Sequence, residues 1–175
     1  MNKLFVAALK EETPGLDFFQ HTGVGKINAT YNLIKLIHKF KPIEVINYGT
    51  AGAINKNVSG LIECRKFYQR DMDVRGMLDL KLGETPFDNL NEIIESDKGF
   101  SCGSGDNFVA KKIEMNVDVV DMEAYALAKV CKLENIKFRC FKFITDKADE
   151  NATLDWIENC KNGVKLFKKK LRKFS

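Results

Sequence analysis

The sequence predicts an α/β fold built on a parallel or mixed sheet. Two observations carry the prediction: short apolar runs bounded by glycine and proline, and stretches between them with apolar residues at three- and four-residue spacing. Residues 3–9 (KLFVAAL) form the first such run and are expected to be a buried strand. From Gly23 the chain opens with glycines and continues with Ile27, Tyr31, Ile34 and His38 on one face, a helix that Pro42 ends. Residues 43–48 (IEVINY) read as the next buried strand, followed at once by GTAG, and 61–68 (LIECRKFY) as a third. Residues 69–98 are polar and mixed, and are expected to form a loop with short helical pieces. A glycine-rich segment, GFSCGSGDNF, surrounds another short strand. Residues 117–122 (VDVVDM) are apolar again, 123–133 (EAYALAKVCKL) are helical, and 137–146 (KFRCFKFITD) form a strand. Ile157, Cys160, Val164, Phe167, Leu171 and Phe174 then recur as one apolar face of a terminal amphipathic helix.

The 175 residues suit one domain, 1–175, large enough for a substantial core. With 45% hydrophobic and 30% charged residues, the composition excludes disordered, collagenous and coiled-coil classes. No apolar run is long enough to cross a membrane as a helix, and the N-terminal residues lack a cleavage site and read as a strand. The net charge of +4 is unevenly placed. Residues 161–175 hold seven basic residues, Lys173 among them, and no acid, while the other 160 carry a net −3. That segment suits a helix packed on the body with its lysines in water; nucleic-acid attraction is the sharper alternative. The five cysteines have no CxxC spacing and only two histidines accompany them, so buried thiols in a reducing cytoplasm are expected rather than a zinc site or a disulfide framework.

In α/β sheets, ligands sit beyond the carboxyl ends of strands. Four distinctive pieces fall there. Glu11 and Glu12 follow the first strand, where acids also serve a helix dipole. Gly49, Thr50, Ala51 and Gly52 suit either a backbone anion cradle or a tight strand-to-helix turn. Asp121, Met122 and Glu123 sit between strand and helix, where a carboxylate caps the helix or accepts hydrogen bonds from a diol. Asp146, next to Thr145, ends a strand as a cap or a proton donor. Phe108 follows SGDN in a loop, as a core residue or a stacking platform. Three separated carboxylates suit acid/base chemistry on a neutral, hydroxylated substrate. Phosphoryl transfer is disfavoured, because no GxxxxGK[ST] loop is present.

The ordered segments TGVGKINA, NYGTAGAI, CGSGDNFV, VVDMEAYALAKVC and FITDKADENA together resemble the purine nucleoside phosphorylase and nucleosidase superfamily, most of all its 5′-methylthioadenosine/S-adenosylhomocysteine nucleosidases. The resemblance runs from residue 3 to about 155. It implies a three-layer αβα sandwich around a mixed, partly barrel-like sheet, and usually a homodimer. The chain is a shortened version, with the stretch before TGVGK reduced to TPGLDFFQH and the region after LIECRKFYQRDMDV trimmed.

Residue by residue, the resemblance implies that Glu12 deprotonates the attacking water, with Thr50 and Lys142 near it. Met122 and Glu123 lie beneath the ribose, Glu123 binding its hydroxyls. Phe108 stacks on the purine, and the Val109 backbone bonds its edge. Asp146 protonates N7 of the leaving base, and Asp there, where inosine- and guanosine-cleaving relatives tend to carry Asn, implies adenine. The GTAG turn (Thr50, Ala51, Gly52) and Thr145 complete the substrate set. Gln69 and Arg70 depart from the aromatic residues or His common in nucleosidases, so that Arg70 and Arg75 stand as candidates to meet an anionic substrate group. No metal or organic cofactor is implied, and the expected activity is hydrolysis of an adenine nucleoside. A phosphate-dependent phosphorylase and a non-catalytic nucleoside-binding protein are the alternatives.

Overall fold

The computed structural model describes residues 2–76, 79–111 and 113–172; Lys173 and Phe174 of the terminal run lie outside them. The elements in chain order are β1 (Lys3–Ala7), a one-turn 3-10 helix (Lys10–Glu12), β2 (Gln20–His21), α1 (Lys26–Phe40), β3 (Glu44–Ala53) and β4 (Leu61–Gln69). Then follow β5 (Glu92–Ile94), β6 (Phe100–Ser104), β7 (Val119–Asp121), α2 (Ala124–Leu133), β8 (Lys137–Asp146), α3 (Ala152–Asn159) and α4 (Val164–Leu171).

The strands run in the order β2-β1-β3-β7-β6-β4-β5, and β8 pairs with both β3 and β4. That second pairing closes five strands, β3, β7, β6, β4 and β8, into a mixed barrel. β8 is parallel to β3 and antiparallel to β4. The two long strands are the hub, because their apolar residues serve both faces. Val45 and Ile46 are adjacent and fully buried, yet Val45 packs with Leu33, Phe67 and Phe138 in the larger core and Ile46 with Tyr48, Phe141 and Phe167 in the smaller. Alternation of side chains along a strand makes this possible. Helices α1 and α2 supply the first face through Ala29, Leu33, Leu127 and Cys131, and α4 supplies the second through Val164 and Phe167. The sheet is thus flanked by helices on both sides, as the predicted sandwich requires.

Three expectations are corrected. GTAG is no turn: it lies inside β3, which runs on to Ala53 because β8 and β7 pair with it there. Among the described residues of 69–98 there is no helix; instead Glu92–Ile94 form a short strand on the edge of β4 and bury Ile93. The terminal amphipathic segment is two helices, not one. It breaks at 160–163, where Gly163 packs so tightly that a Cβ would lie 2.4 Å from the Tyr48 hydroxyl and the Phe143 ring. Of the apolar face, Cys160, Val164 and Phe167 are buried, whereas Ile157 is 61% exposed. Lys165, Lys168 and Lys169 of α4 face solvent. All five cysteines are buried thiols.

Candidate active site

One cavity of about 410 Å³ opens at the carboxyl ends of β1, β3 and β8. It gathers Glu12, Thr50, Ala51, Gly52, Phe108, Val109, Met122, Glu123, Thr145 and Asp146, residues from five separate stretches of sequence. The wall also includes Arg70, Asp121 and, from α3, Thr153, Trp156 and Ile157.

Glu12 reaches the cavity because the chain turns through a single 3-10 turn after β1, which leaves Glu11 exposed and buries Glu12 to 4% exposure. Its carboxylate is held by three donors. The Thr50 amide and hydroxyl donate to Oε1 at 2.9 and 2.8 Å, and the Leu9 amide to Oε2 at 3.1 Å. The Thr50 N–H therefore serves a protein carboxylate and not an external anion. Glycine at position 49 permits the approach, since a Cβ there would lie 3.3 Å from Glu12 Oε1 and 3.2 Å from Lys142 Nζ.

Asp146 ends β8 at the other side of the cavity. Oδ2 accepts from the Thr145 hydroxyl at 2.8 Å and Oδ1 from the Ala148 amide at 2.9 Å. It does not cap α3. Gly52 makes room for it, because a Cβ there would come within 2.6 Å of Oδ1. Burial pushes the Asp146 carboxyl above its ordinary range, and its two hydrogen bonds only partly restrain the rise. A carboxyl raised in this way is better suited than an ordinary aspartate to serve as a proton donor.

Glu123 precedes α2 and is nearly buried. Its Oε1 accepts from the Gly25 amide at 2.9 Å, at the start of α1. Burial, with the charge of Asp121 added, pushes it up to about 8. The helix-capping role falls to Asp121 instead, whose Oδ2 accepts from the Ala124 amide at 2.8 Å.

Lys142 lies behind the wall rather than on it. It is 2% exposed and its Nζ sits 2.7 Å from Asp121 Oδ2. Asp121 Oδ1 also accepts from Ser104 Oγ at 2.5 Å. Burial alone would push Lys142 down and Asp121 up. Facing each other, they move the opposite way, with Lys142 held well above and Asp121 below its usual value. Lys142 is thus committed to Asp121.

Phe108 stands half-exposed at the rim with Val109 buried beside it. Their loop is fastened by Arg70, whose guanidinium donates to Asn107 Oδ1 at 2.8 Å, to the Asn107 carbonyl at 2.5 Å and to the Gly105 carbonyl at 3.3 Å. Arg70 is therefore at the site, as a brace for the loop as well as a lining cation. Arg75 is not: it is exposed and paired with Asp73 and Glu114. Trp156 was invisible to sequence reasoning. It sits on a polar helix with no motif around it, yet its Nε1 donates to Thr50 Oγ1 at 2.9 Å.

Comparisons with known proteins find likenesses of sequence and of fold. Residues 96–175 match the family model described as Phosphorylase superfamily. A curated relative from Staphylococcus aureus, a 5′-methylthioadenosine/S-adenosylhomocysteine nucleosidase, is 27% identical over 160 residues, covering 77% of this chain and 70% of the relative. The futalosine hydrolase of Helicobacter pylori has a TM-score of 0.86 at 21% identity, covering 98% of this chain and 97% of that one. The 5′-methylthioadenosine/S-adenosylhomocysteine nucleosidase of the same organism, solved with butyl-thio-DADMe-Immucillin-A, has a TM-score of 0.84 at 20% identity over 99% of both chains. Family model, curated relatives and fold together make the chain similar to proteins of the phosphorylase superfamily.

Proposed function

We propose that this protein hydrolyses the N-glycosidic bond of an adenine nucleoside of the methylthioadenosine or S-adenosylhomocysteine type. One observation carries the reading: Glu12, Glu123 and Asp146 converge on a single cavity, each with different hydrogen-bond partners. Breaking the bond leaves positive charge on the ribose and negative charge on the base. Asp146 gives its proton to N7 of the departing purine. Glu12 takes a proton from the water that adds to C1′. Glu123 holds the ribose 2′- and 3′-hydroxyls through charge-assisted hydrogen bonds, which are the stronger kind. Phe108 stacks on the base, and the Val109 backbone bonds its edge.

The lining favours water over phosphate as the nucleophile. Four carboxylates (Glu12, Asp121, Glu123 and Asp146) face the cavity, and Arg70 is the one cation among the described lining residues. Phosphate would meet the Glu12 carboxylate at the place where the nucleophile must sit. The likeness to a futalosine hydrolase supports a second reading, in which futalosine is the substrate. A homodimer is part of the proposal. Ile27 and Tyr31 leave an apolar stripe on α1 that is 81% and 62% exposed and continues to Val24 at the cavity rim.

The test is base release, followed by chromatography, from methylthioadenosine, S-adenosylhomocysteine, adenosine, inosine and futalosine, each with and without phosphate. Phosphate-independent adenine release is the expected result. Release only with phosphate would make the protein a phosphorylase, and tight binding without release would make it a nucleoside-binding protein.

A further inference from the structure

The cavity wall carries one interaction that the reaction above does not use. The Trp156 indole, arriving on α3, donates to the hydroxyl of Thr50 on β3, and the same hydroxyl lies 2.8 Å from Glu12 Oε1. An indole N–H is a donor only, so Thr50 Oγ1 must accept from it. A hydroxyl has one proton, and with Trp156 supplying the incoming bond, that proton is directed to Glu12. The consequence appears in the lone pairs of the carboxylate. An ionised carboxylate offers about four acceptor positions, two on each oxygen. Oε1 takes both the Thr50 amide and the Thr50 hydroxyl, and Oε2 takes the Leu9 amide. Among the described contacts, one position on Oε2 remains for a proton arriving from water.

Helix α3 has few other anchors. Ala152 is buried, and Asn159 Nδ2 donates to the Thr145 carbonyl at 3.4 Å, but Leu154 and Ile157 are 71% and 61% exposed. Trp156 therefore ties the covering of the cavity to the arrangement of Glu12.

We propose that Trp156 is a positioning residue: its indole N–H commits the Thr50 hydroxyl to Glu12 Oε1, so that the attacking water is received on Oε2 alone. This rests on the hydrolase reading, and two experiments separate the two claims. Trp156→Phe keeps a ring and removes the N–H. With folding checked by circular dichroism, kcat is expected to fall about 3–10-fold, the size of one hydrogen bond, with KM changed by less than about 2-fold. In a Thr50→Val background the same change should cost nothing further, whereas Thr50→Ser should preserve its full effect. Equal losses in both backgrounds, or a rise in KM alone, would overturn the proposal and make Trp156 a packing or substrate contact. The second experiment needs no turnover. Trp156 is the single tryptophan, so an ¹⁵N spectrum contains one indole resonance. That resonance should exchange slowly in the wild type, and should shift and exchange faster in Thr50→Val. An unchanged resonance would overturn the proposal, even in an enzyme that turns over normally. A wild type that shows the bonded resonance but releases no base would break the hydrolase reading and, with it, the role given to the water.

Discussion

The two ends of the cavity are about equally hidden but differently equipped. Glu12 is 4% exposed and Asp146 is 7% exposed. Glu12 draws three donors from two segments, Leu9 beside it and Thr50 across the sheet. Asp146 has only the local Thr145 and Ala148, and burial prevails to raise it. Burial does not by itself assign a carboxylate its role; the donors that reach it do. In the proposed hydrolysis, one end receives a proton and the other releases one.

The sharpest break of that comparison removes each function in turn. Asp146→Asn and Glu12→Gln should each lower base release by about 10²–10⁴-fold, the usual worth of general acid–base catalysis, while circular dichroism stays native. Full activity in both variants would remove the assignment.

The next effect is on stability and lies behind the wall. Lys142→Met leaves Asp121 buried without its counter-charge and should cost about 3–5 kcal/mol in urea unfolding. Adding Asp121→Asn should recover part of the loss, which would show that the pair and not the lysine alone is the unit.

A smaller effect belongs to the base end. Arg70→Lys keeps a charge but loses the forked contact with Gly105 and Asn107. KM should rise about 10-fold with kcat little changed, since the loop bearing Phe108 would be loosened and not the acids. Equal losses in both constants would instead place Arg70 in the chemistry.

The smallest signal concerns Glu123. With its carboxyl raised to about 8, the free protein holds that proton at pH 7. Ribose hydroxyls favour the ionised form, so nucleoside binding should release up to about one proton, seen by calorimetry in buffers of different ionisation enthalpy, and the release should vanish above about pH 9. Stability follows the same sign. The folded chain binds this proton more tightly than the unfolded one, so the stabilisation is complete below the ordinary glutamate range and is lost as pH rises through about 8. Glu123→Gln should lack that component of the decline.

Much of the fold was legible because apolar runs and helical periodicity are local signals. The strand at 137–146 and the helix ending before Pro42 appear where the sequence places them. Glycine misled at 49–52. Gly49, Thr50, Ala51 and Gly52 read as an anion cradle or a turn because glycine usually marks one, whereas here it clears space for Glu12, Lys142 and Asp146 beside an uninterrupted strand. The terminal segment misled for the opposite reason: a continuous apolar period concealed a break that depends on Gly163 packing against Tyr48 and Phe143.

By itself, then, the sequence determined the alternation of strands and helices and the set of carboxylates placed near strand ends, because both follow from spacing along the chain. Tertiary structure alone decided how those groups are paired. Closing the barrel through β8 put Lys142 against Asp121, 21 residues away in sequence, rather than on the cavity surface. Docking α3 brought Trp156 onto Thr50, 106 residues away. Hydrogen bonds and ion pairs act over about 3 Å, and no local pattern in a chain encodes which distant segments will come that close.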